Sequence, residues 1–396
     1  MNTLRRISRT LRLAALAVVG LACAYYSQPV INVQAWPVDD FVEYWAAARL
    51  LLTGGNPYSP QQLSALQKVV GWSETAPVVM WNPPWALVAV LPFGLMDYFQ
   101  ARHWWLCLQL GTLLTCTFTL TRTYEIRPQD SVWLWMLSLA YFPFLFVLRT
   151  GQISPLLLAG ATGFLVFARH QRFGPAALMA ALTSFKPHLL YLFWIALALW
   201  VLDRRQWKVF GGIGAAIVLA VAIPMAFNAR LVLQYAELVS THPPMDWATP
   251  TLGGLLRVML GTEHSWLQFL PSLAGVFWCF WHYRRNRAQW VWTRQMPLLL
   301  LVSVATASYG SWTYDQVVLL PALIAAFKAV VERQTMTFSM GPLMLFFAAN
   351  LTAYSLNWHG VNEIWFFWMA PVWLALYLWI ISRDPRRGIK HTRLSR

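Results

Sequence analysis

Charge is the scarcest property of this sequence: 11% of its 396 residues are charged, and only 15 are Asp or Glu. A chain of that length would ordinarily form two or more soluble domains, but 58% of it is hydrophobic and no polar stretch is long enough to make one. Cysteine is rarer still. Cys23, Cys107, Cys116 and Cys279 all lie within apolar runs, which leaves no disulfide framework and no metal-ligand spacing. No Walker loop, Rossmann glycine fingerprint, His-Glu-x-x-His or Gly-x-Ser-x-Gly occurs, so nucleotide, zinc and serine mechanisms lack their usual marks, and a soluble donor lacks support. There is no Asp-x-Asp either. Asp39 and Asp40 are adjacent, and successive side chains on a helix project about 100° apart, which disfavours joint chelation of a metal. No cofactor is expected, although nothing in the sequence excludes a divalent ion.

What fills the chain is apolar sequence. Runs of about 20 residues, the length that spans a bilayer, follow one another from residue 11 to 381 with short polar breaks. Hydrocarbon cannot satisfy open backbone groups, so only helices or a closed barrel can cross it, and these runs are continuous rather than alternating. The expected fold is all-α: a polytopic integral membrane helical bundle forming one domain over residues 1–396.

The net charge of +15 sits in short clusters between apolar runs, where it orients helices and does not imply nucleic acid. Loops holding Arg169 and Arg172, Arg204 to Lys208, Arg284 to Arg287, and Lys328 with Arg333 read as cytoplasmic, as do residues 1–12 and the tail 383–396. Loops 36–78, 149–154, 184–188, 228–264, 309–315 and 357–363 then face the periplasm. Both termini on one side require an even number of crossings, whereas the runs number about thirteen. Residues 83–95, short and opened by two prolines, are the run that does not cross, leaving about twelve transmembrane helices. The run 13–31 has the basic flank of a signal peptide, and Cys23 a lipoprotein-like position, but Gly20 stands where a lipoprotein signal prefers Leu. An uncleaved anchor fits better.

In the first periplasmic loop, residues 39–51 have clear helix signals: Asp39 or Asp40 to cap, an alanine-rich middle, and Gly54-Gly55 with Pro57 to stop. Phe41, Trp45, Ala48 and Leu52 form one apolar stripe, as on a helix lying along the membrane interface, and Asp40, Glu43, Tyr44 and Ala47 form another. Asp40 serves equally as a helix cap or as a catalytic carboxylate. Glu43 suits a solvated or ion-paired face, and Arg49 suits packing at headgroup level. Gln152 can satisfy helix-end carbonyls or contact a substrate. Lys186, between short apolar runs, sits at membrane depth, where charges face a cavity or a partner unless they snorkel to the interface. His188 is near enough to share an anion with it, or is simply interfacial. Arg257, in the loop that also holds His242 to Trp247, suits an anion or a lipid headgroup. Ser308 to Gln316 place aromatics, including Trp312, around Asp315, a setting for stacking on a sugar unless Asp315 is itself a helix cap.

In this order, Asp40 to Tyr58, Asn82-Pro83-Pro84-Trp85, Gly151-Gln152, Lys186-Pro187 and Ser311-Trp312 with Asp315 resemble the family 87 glycosyltransferases, polytopic enzymes of the GT-C fold that include mannosyltransferases. The resemblance implies a polyprenyl-phosphate-linked sugar as donor and a lipid or glycan acceptor, with transfer of a hexose such as mannose on the periplasmic face of a bacterial inner membrane. It makes Asp40 the general base of an inverting reaction, with Asp39 beside it as a competing carboxylate. On that scheme Lys186, His188 and Arg257 would hold the donor phosphate, while Glu43, Tyr44, Gln152, Trp312 and Asp315 would contact sugar or acceptor. The rival from another class is a secondary transporter or flippase of lipid-linked saccharide, which would place its charges near the bilayer midplane in repeated halves.

Overall fold

The computed structural model describes residues 38–241, 248–333 and 336–383. The expected anchor at 13–31, the segment His242 to Trp247 and the basic tail beyond Arg383 lie outside them. Among the described residues the chain forms seventeen α-helices joined by short 3₁₀ turns, with no strand. Among the described residues Trp207–Met225, Thr313–Val330 and Glu363–Ser382 are each long and apolar enough to cross a membrane, and Pro128–Ala140 with Phe142–Thr150 form an apolar pair bent by 50°, the shape of a broken span or a re-entrant loop. The chain is thus a multi-pass membrane protein. Several other expected spans are shorter apolar helices, among them Ser154–Arg169 and Phe173–Phe185. Residues Pro84–Leu95 break into two 3₁₀ turns around one α turn. Their rise of about 20 Å falls short of the ~30 Å hydrocarbon core.

The apolar stripe of the Phe41–Leu52 helix is covered by protein. Every residue from Phe41 to Leu51 except Arg49 is buried, because the turn Leu91–Leu95 covers one side and the Tyr98–Thr123 helix another. Phe41 stacks on Trp105 at 5.5 Å, and Trp105 meets Phe93 edge-on at 5.1 Å. Such aromatic pairs contribute about 0.5–1.5 kcal/mol each beyond area burial. Arg49 does not reach for headgroups alone, since its Nη1 donates to Gly94 O at 3.0 Å. The helix ends as its glycines require: Gly54 takes φ +75° and Gly55 N returns to Leu50 O at 2.8 Å. Beyond that turn Tyr58 packs against Tyr235 and its hydroxyl donates to Asn82 O at 3.4 Å, tying the first loop to the next motif.

Gly151 closes the Phe142–Thr150 helix in the left-handed conformation, φ +73°, and a Cβ there would stand 2.7 Å from Phe41 Cβ and 3.3 Å from the Arg102 guanidinium. Its carbonyl accepts from Trp105 Nε1 at 2.6 Å, and the carbonyl of Gln152 accepts from Gln109 Nε2 at 2.7 Å. The backbone before and after the Gln152 side chain is therefore held by the Tyr98–Thr123 helix. Gly151→Ala should cost about 2–4 kcal/mol, combining left-handed strain with overpacking. A lowered thermal midpoint in detergent would register it; an unchanged midpoint would show that the helix 41–52 contact yields freely.

Candidate active site

Two broken helices set the site. In the first, Pro187 disfavours helical geometry at the preceding residue, and Lys186 leaves the helix at φ −136°. Thr183 and Ser184 hydroxyls fold back onto Ala180 O and Ala181 O at 2.7 and 2.6 Å. The helix-end carbonyls of Phe185 and Ser184 accept from Asn82 Nδ2 at 3.0 Å and Trp85 Nε1 at 3.2 Å. The Asn-Pro-Pro-Trp motif is thus a side-chain cap for the break that presents Lys186. In the second, the 3₁₀ turn Thr313–Leu319 carries Asp315 inward.

Lys186 and Asp315 meet as a buried ion pair at 2.8 Å, with Asp315 wholly inaccessible. Asp315 Oδ1 also accepts from Ser154 Oγ at 2.5 Å. The residue is a counter-ion rather than a helix cap. Lys186 Nζ donates further to Gln152 Oε1 at 3.2 Å and lies 5.1 Å from the centre of the Tyr314 ring.

The pair of adjacent aspartates divides by partner. Asp39 takes an ion pair with Arg102 at 2.7 Å and accepts the Phe41 amide at 3.1 Å, so it, not Asp40, caps the helix. Burial still pushes its carboxyl up to about 6 against the pull of Arg102. Asp40 makes no capping bond and instead accepts from Gln152 Nε2 at 3.0 Å. Burial raises its carboxyl above the ordinary range, opposed by the Gln152 hydrogen bond and Lys186. Glu43 is not solvated: it is buried, accepts from Gln152 Nε2 at 3.3 Å, and desolvation with Asp40 beside it lifts its carboxyl to about 8. Tyr44 donates to Gln152 Oε1 at 2.7 Å.

Asp40, Glu43, Tyr44, Gln152, Lys186 and Asp315 line one cavity of about 800 Å³. Every one of the six loops assigned to a common side by the charge pattern contributes to its wall, from Asp40 in the first to Glu363 in the last, and none of the basic loops does. His188 and Trp312 line it as well. His188 stacks on Tyr309 at 4.1 Å, and desolvation, with Lys186 nearby, lowers it to about 3. Burial thus favours the neutral form of the ring. Arg257 is not brought to the cavity; its guanidinium donates to Gln268 Oε1 and Thr262 O, both at 2.9 Å, joining the end of helix Leu252–Leu260 to the 3₁₀ turn Ser265–Phe269. Among the described residues no group of three or more His, Cys, Asp or Glu is placed to hold a metal ion.

Three residues of weight escaped sequence reading. Glu363 and Tyr235 line the cavity, and Arg102 aims Asp39. Arg102 carried a signal, because an arginine inside a long apolar helix requires a partner. Glu363 is the single carboxylate of its loop and nothing else marked it.

A polytopic helical membrane protein with a carboxylate and a lysine sharing one polar cavity at its helix breaks is the class the fold defines. The family-87 profile, described as glycosyltransferase family 87, matches residues 80–331; the chain belongs to that family and is a membrane glycosyltransferase, not a transporter. The match takes in Asn82, Gln152, Lys186, Trp312 and Asp315 but not Asp40; the hydrogen bond to Gln152 joins Asp40 to them. No curated protein matches the sequence significantly. Among solved structures, ArnT from Cupriavidus metallidurans in the apo state is distantly similar, with a TM-score of 0.40 and 14% identity over 96% of this chain and 81% of that one.

The raised carboxyl of Glu43 has a stability consequence. An acid whose folded pKa exceeds its unfolded value contributes stability below the unfolded value, about 4.3, and loses it as pH rises through the folded one, here about 8. Glu43→Gln, neutral at every pH, should therefore raise the thermal midpoint over the wild type by a few degrees at pH 9 and by much less at pH 6. Parallel melting curves for the two proteins across that range would contradict the buried setting of Glu43.

Proposed function

We propose that this glycosyltransferase moves a hexose, mannose being the sugar its family resemblance implies, from a polyprenyl phosphate to a lipid- or glycan-linked hydroxyl, with Asp40 as general base and inversion at the anomeric carbon. The observation that carries the reading is the arrangement of Asp40 and Lys186 on opposite ends of one Gln152 amide in a single cavity. A lipid-linked sugar already resides in the bilayer and brings its own phosphate leaving group, which accounts for the lack of a nucleotide-binding motif.

In the transfer step the acceptor oxygen forms a bond to the anomeric carbon while the bond from that carbon to the phosphate oxygen breaks, its electron pair leaving with the phosphate. The acceptor proton passes to Asp40. Burial, by raising this carboxyl, makes it a stronger base than an exposed one. The polyprenyl phosphate gains negative charge as it leaves, and Lys186 is the cation beside it. An ammonium has three donors; two are taken by Asp315 and Gln152, and the third is available to a phosphate oxygen. His188, on the same cavity wall, can add a hydrogen bond to that phosphate. Trp312, half-buried on the cavity wall beside Tyr314, offers a face for a sugar ring, and Glu363 offers a hydroxyl acceptor from the facing loop. The scheme uses no metal ion. The cavity opens to the periplasm of a bacterial inner membrane, the side opposite the basic loops.

Transfer from a labelled polyprenyl-phosphate hexose, measured in nanodiscs, should fall about 10²–10⁴-fold in Asp40→Asn. Undiminished transfer by folded Asp40→Asn protein would end the base assignment. For Lys186 a single substitution leaves Asp315 buried and uncompensated, which costs about 3–5 kcal/mol, so the informative protein is Lys186→Met with Asp315→Asn. Its kcat/KM for donor should drop at least roughly tenfold while the KM for acceptor holds; donor kinetics equal to wild type would remove Lys186 from the phosphate.

A further inference from the structure

The Gln152 side chain was expected to contact sugar, yet its amide is fully engaged by protein. Oε1 accepts from Tyr44 Oη at 2.7 Å and Lys186 Nζ at 3.2 Å, and Nε2 donates to Asp40 Oδ2 at 3.0 Å and Glu43 Oε1 at 3.3 Å. Only one orientation of the amide fits. Lysine has no acceptor and an ionised carboxylate no donor, so turning the group over would face like with like at both ends. Its backbone is equally constrained, by the left-handed Gly151 before it and by Gln109 on its own carbonyl. Asp40 Oδ1, by contrast, has no hydrogen bond among the described residues.

We infer that Gln152 is a positioning residue for the proposed transfer: it holds Asp40 by Oδ2 so that Oδ1 is the oxygen left for the acceptor hydroxyl, and it fixes that oxygen relative to the Lys186 ammonium on the donor side. The inference rests on Asp40 being the base. One rigid planar group thereby sets the separation of base and donor-side cation, which two flexible side chains on different helix breaks could not set alone. A hydrogen bond donated to a carboxylate also favours its charged form, so Gln152 governs the pH at which Asp40 becomes competent.

The charged groups acting on Asp40 come from every side. Arg102 faces it from the Tyr98–Thr123 helix, Lys186 from the first helix break, Asp315 from the Thr313–Leu319 turn and Glu363 from the Glu363–Phe366 turn. Asp39 and Glu43 adjoin it on its own segment, and Tyr44 and Tyr314 also sense its charge. Of these, Lys186, Glu43 and Tyr44 also touch Gln152, so the donor KM is read alongside the pH profile.

Gln152→Glu keeps the length and planarity of the side chain and still accepts from Tyr44 and Lys186, but replaces the donor toward Asp40 with a negative oxygen. Gln152→Leu removes both arms and keeps the volume. The acidic limb of kcat/KM against pH reports the base in the free enzyme. It should move up by about one pH unit or more in Gln152→Glu, seen as a roughly tenfold rate loss below the limb, with the KM for donor nearly unchanged. In Gln152→Leu the limb should move up less and the donor KM should rise, since the Lys186 contact is also lost. Either variant suffices if the other does not fold. A limb that stays in place in the folded variant, in an enzyme whose Asp40→Asn form is inactive, overturns the positioning role and leaves the base reading standing. An active Asp40→Asn enzyme overturns both.

Discussion

A positive and a negative charge buried together, Lys186 against Asp315, constrain the rest of the site. Neither charge can stay unpaired away from water, where the penalty for each is several kcal/mol, so the two helix breaks that carry them must meet. Their meeting brings the chain after Phe185 against the chain after Trp312 and leaves Lys186 one face toward the cavity. Gln152 completes the arrangement by accepting from the same ammonium. Asp40 is then reached through Gln152, and Asp39 with Arg102 holds the segment that bears Asp40. The geometry of the cavity wall is a chain of hydrogen bonds that begins at one ion pair.

Side chains from other segments take up backbone carbonyls freed at the breaks. Irregular backbone at membrane depth is tolerated only where it is buried in protein or lines a cavity. Here Asn82 and Trp85 take the carbonyls at the Phe185 break, Gln109 and Trp105 those around Gly151, and Tyr141 that of Gln316. This gives the family motifs a division of labour. Asn82 and Trp85 shape the wall by capping, Gly151 turns the chain, and Lys186 and Asp315 supply charge. Motif residues that are not chemical are still needed, because the chemical ones sit on helix ends that require partners.

Much of this was legible before any coordinates. Continuous apolar runs and clustered basic loops defined a helical membrane protein, and the same charge pattern placed six loops on one side, all of which reach a single cavity. Lys186 was legible because lysine at depth needs a reason. Helix 41–52 was legible in its ends, but not in what covers its apolar stripe: the Leu91–Leu95 turn and the helix after it pack over it and leave Arg49 exposed. Glu43 was legible as a site residue only through the family resemblance, since local pattern does not register what folds over a segment from fifty residues away. Arg257 looked like an anion ligand because arginine has the geometry for one; the structure places it off the cavity wall, with bonds to Gln268 and the Thr262 carbonyl.

Sequence by itself determined the solvent, the helical class, the common side of the site and the kinds of residue that serve it, because lipid imposes those through composition and charge placement. It left Asp39 and Asp40 equivalent, two carboxylates at one helix start. Tertiary structure decided between them: Arg102, sixty-three positions away from Asp39, claims that residue, and Gln152 claims Asp40. The physical reason is that a carboxylate's role is set by the donors that reach it, and donors from distant helices are specified by packing rather than by neighbours in the chain.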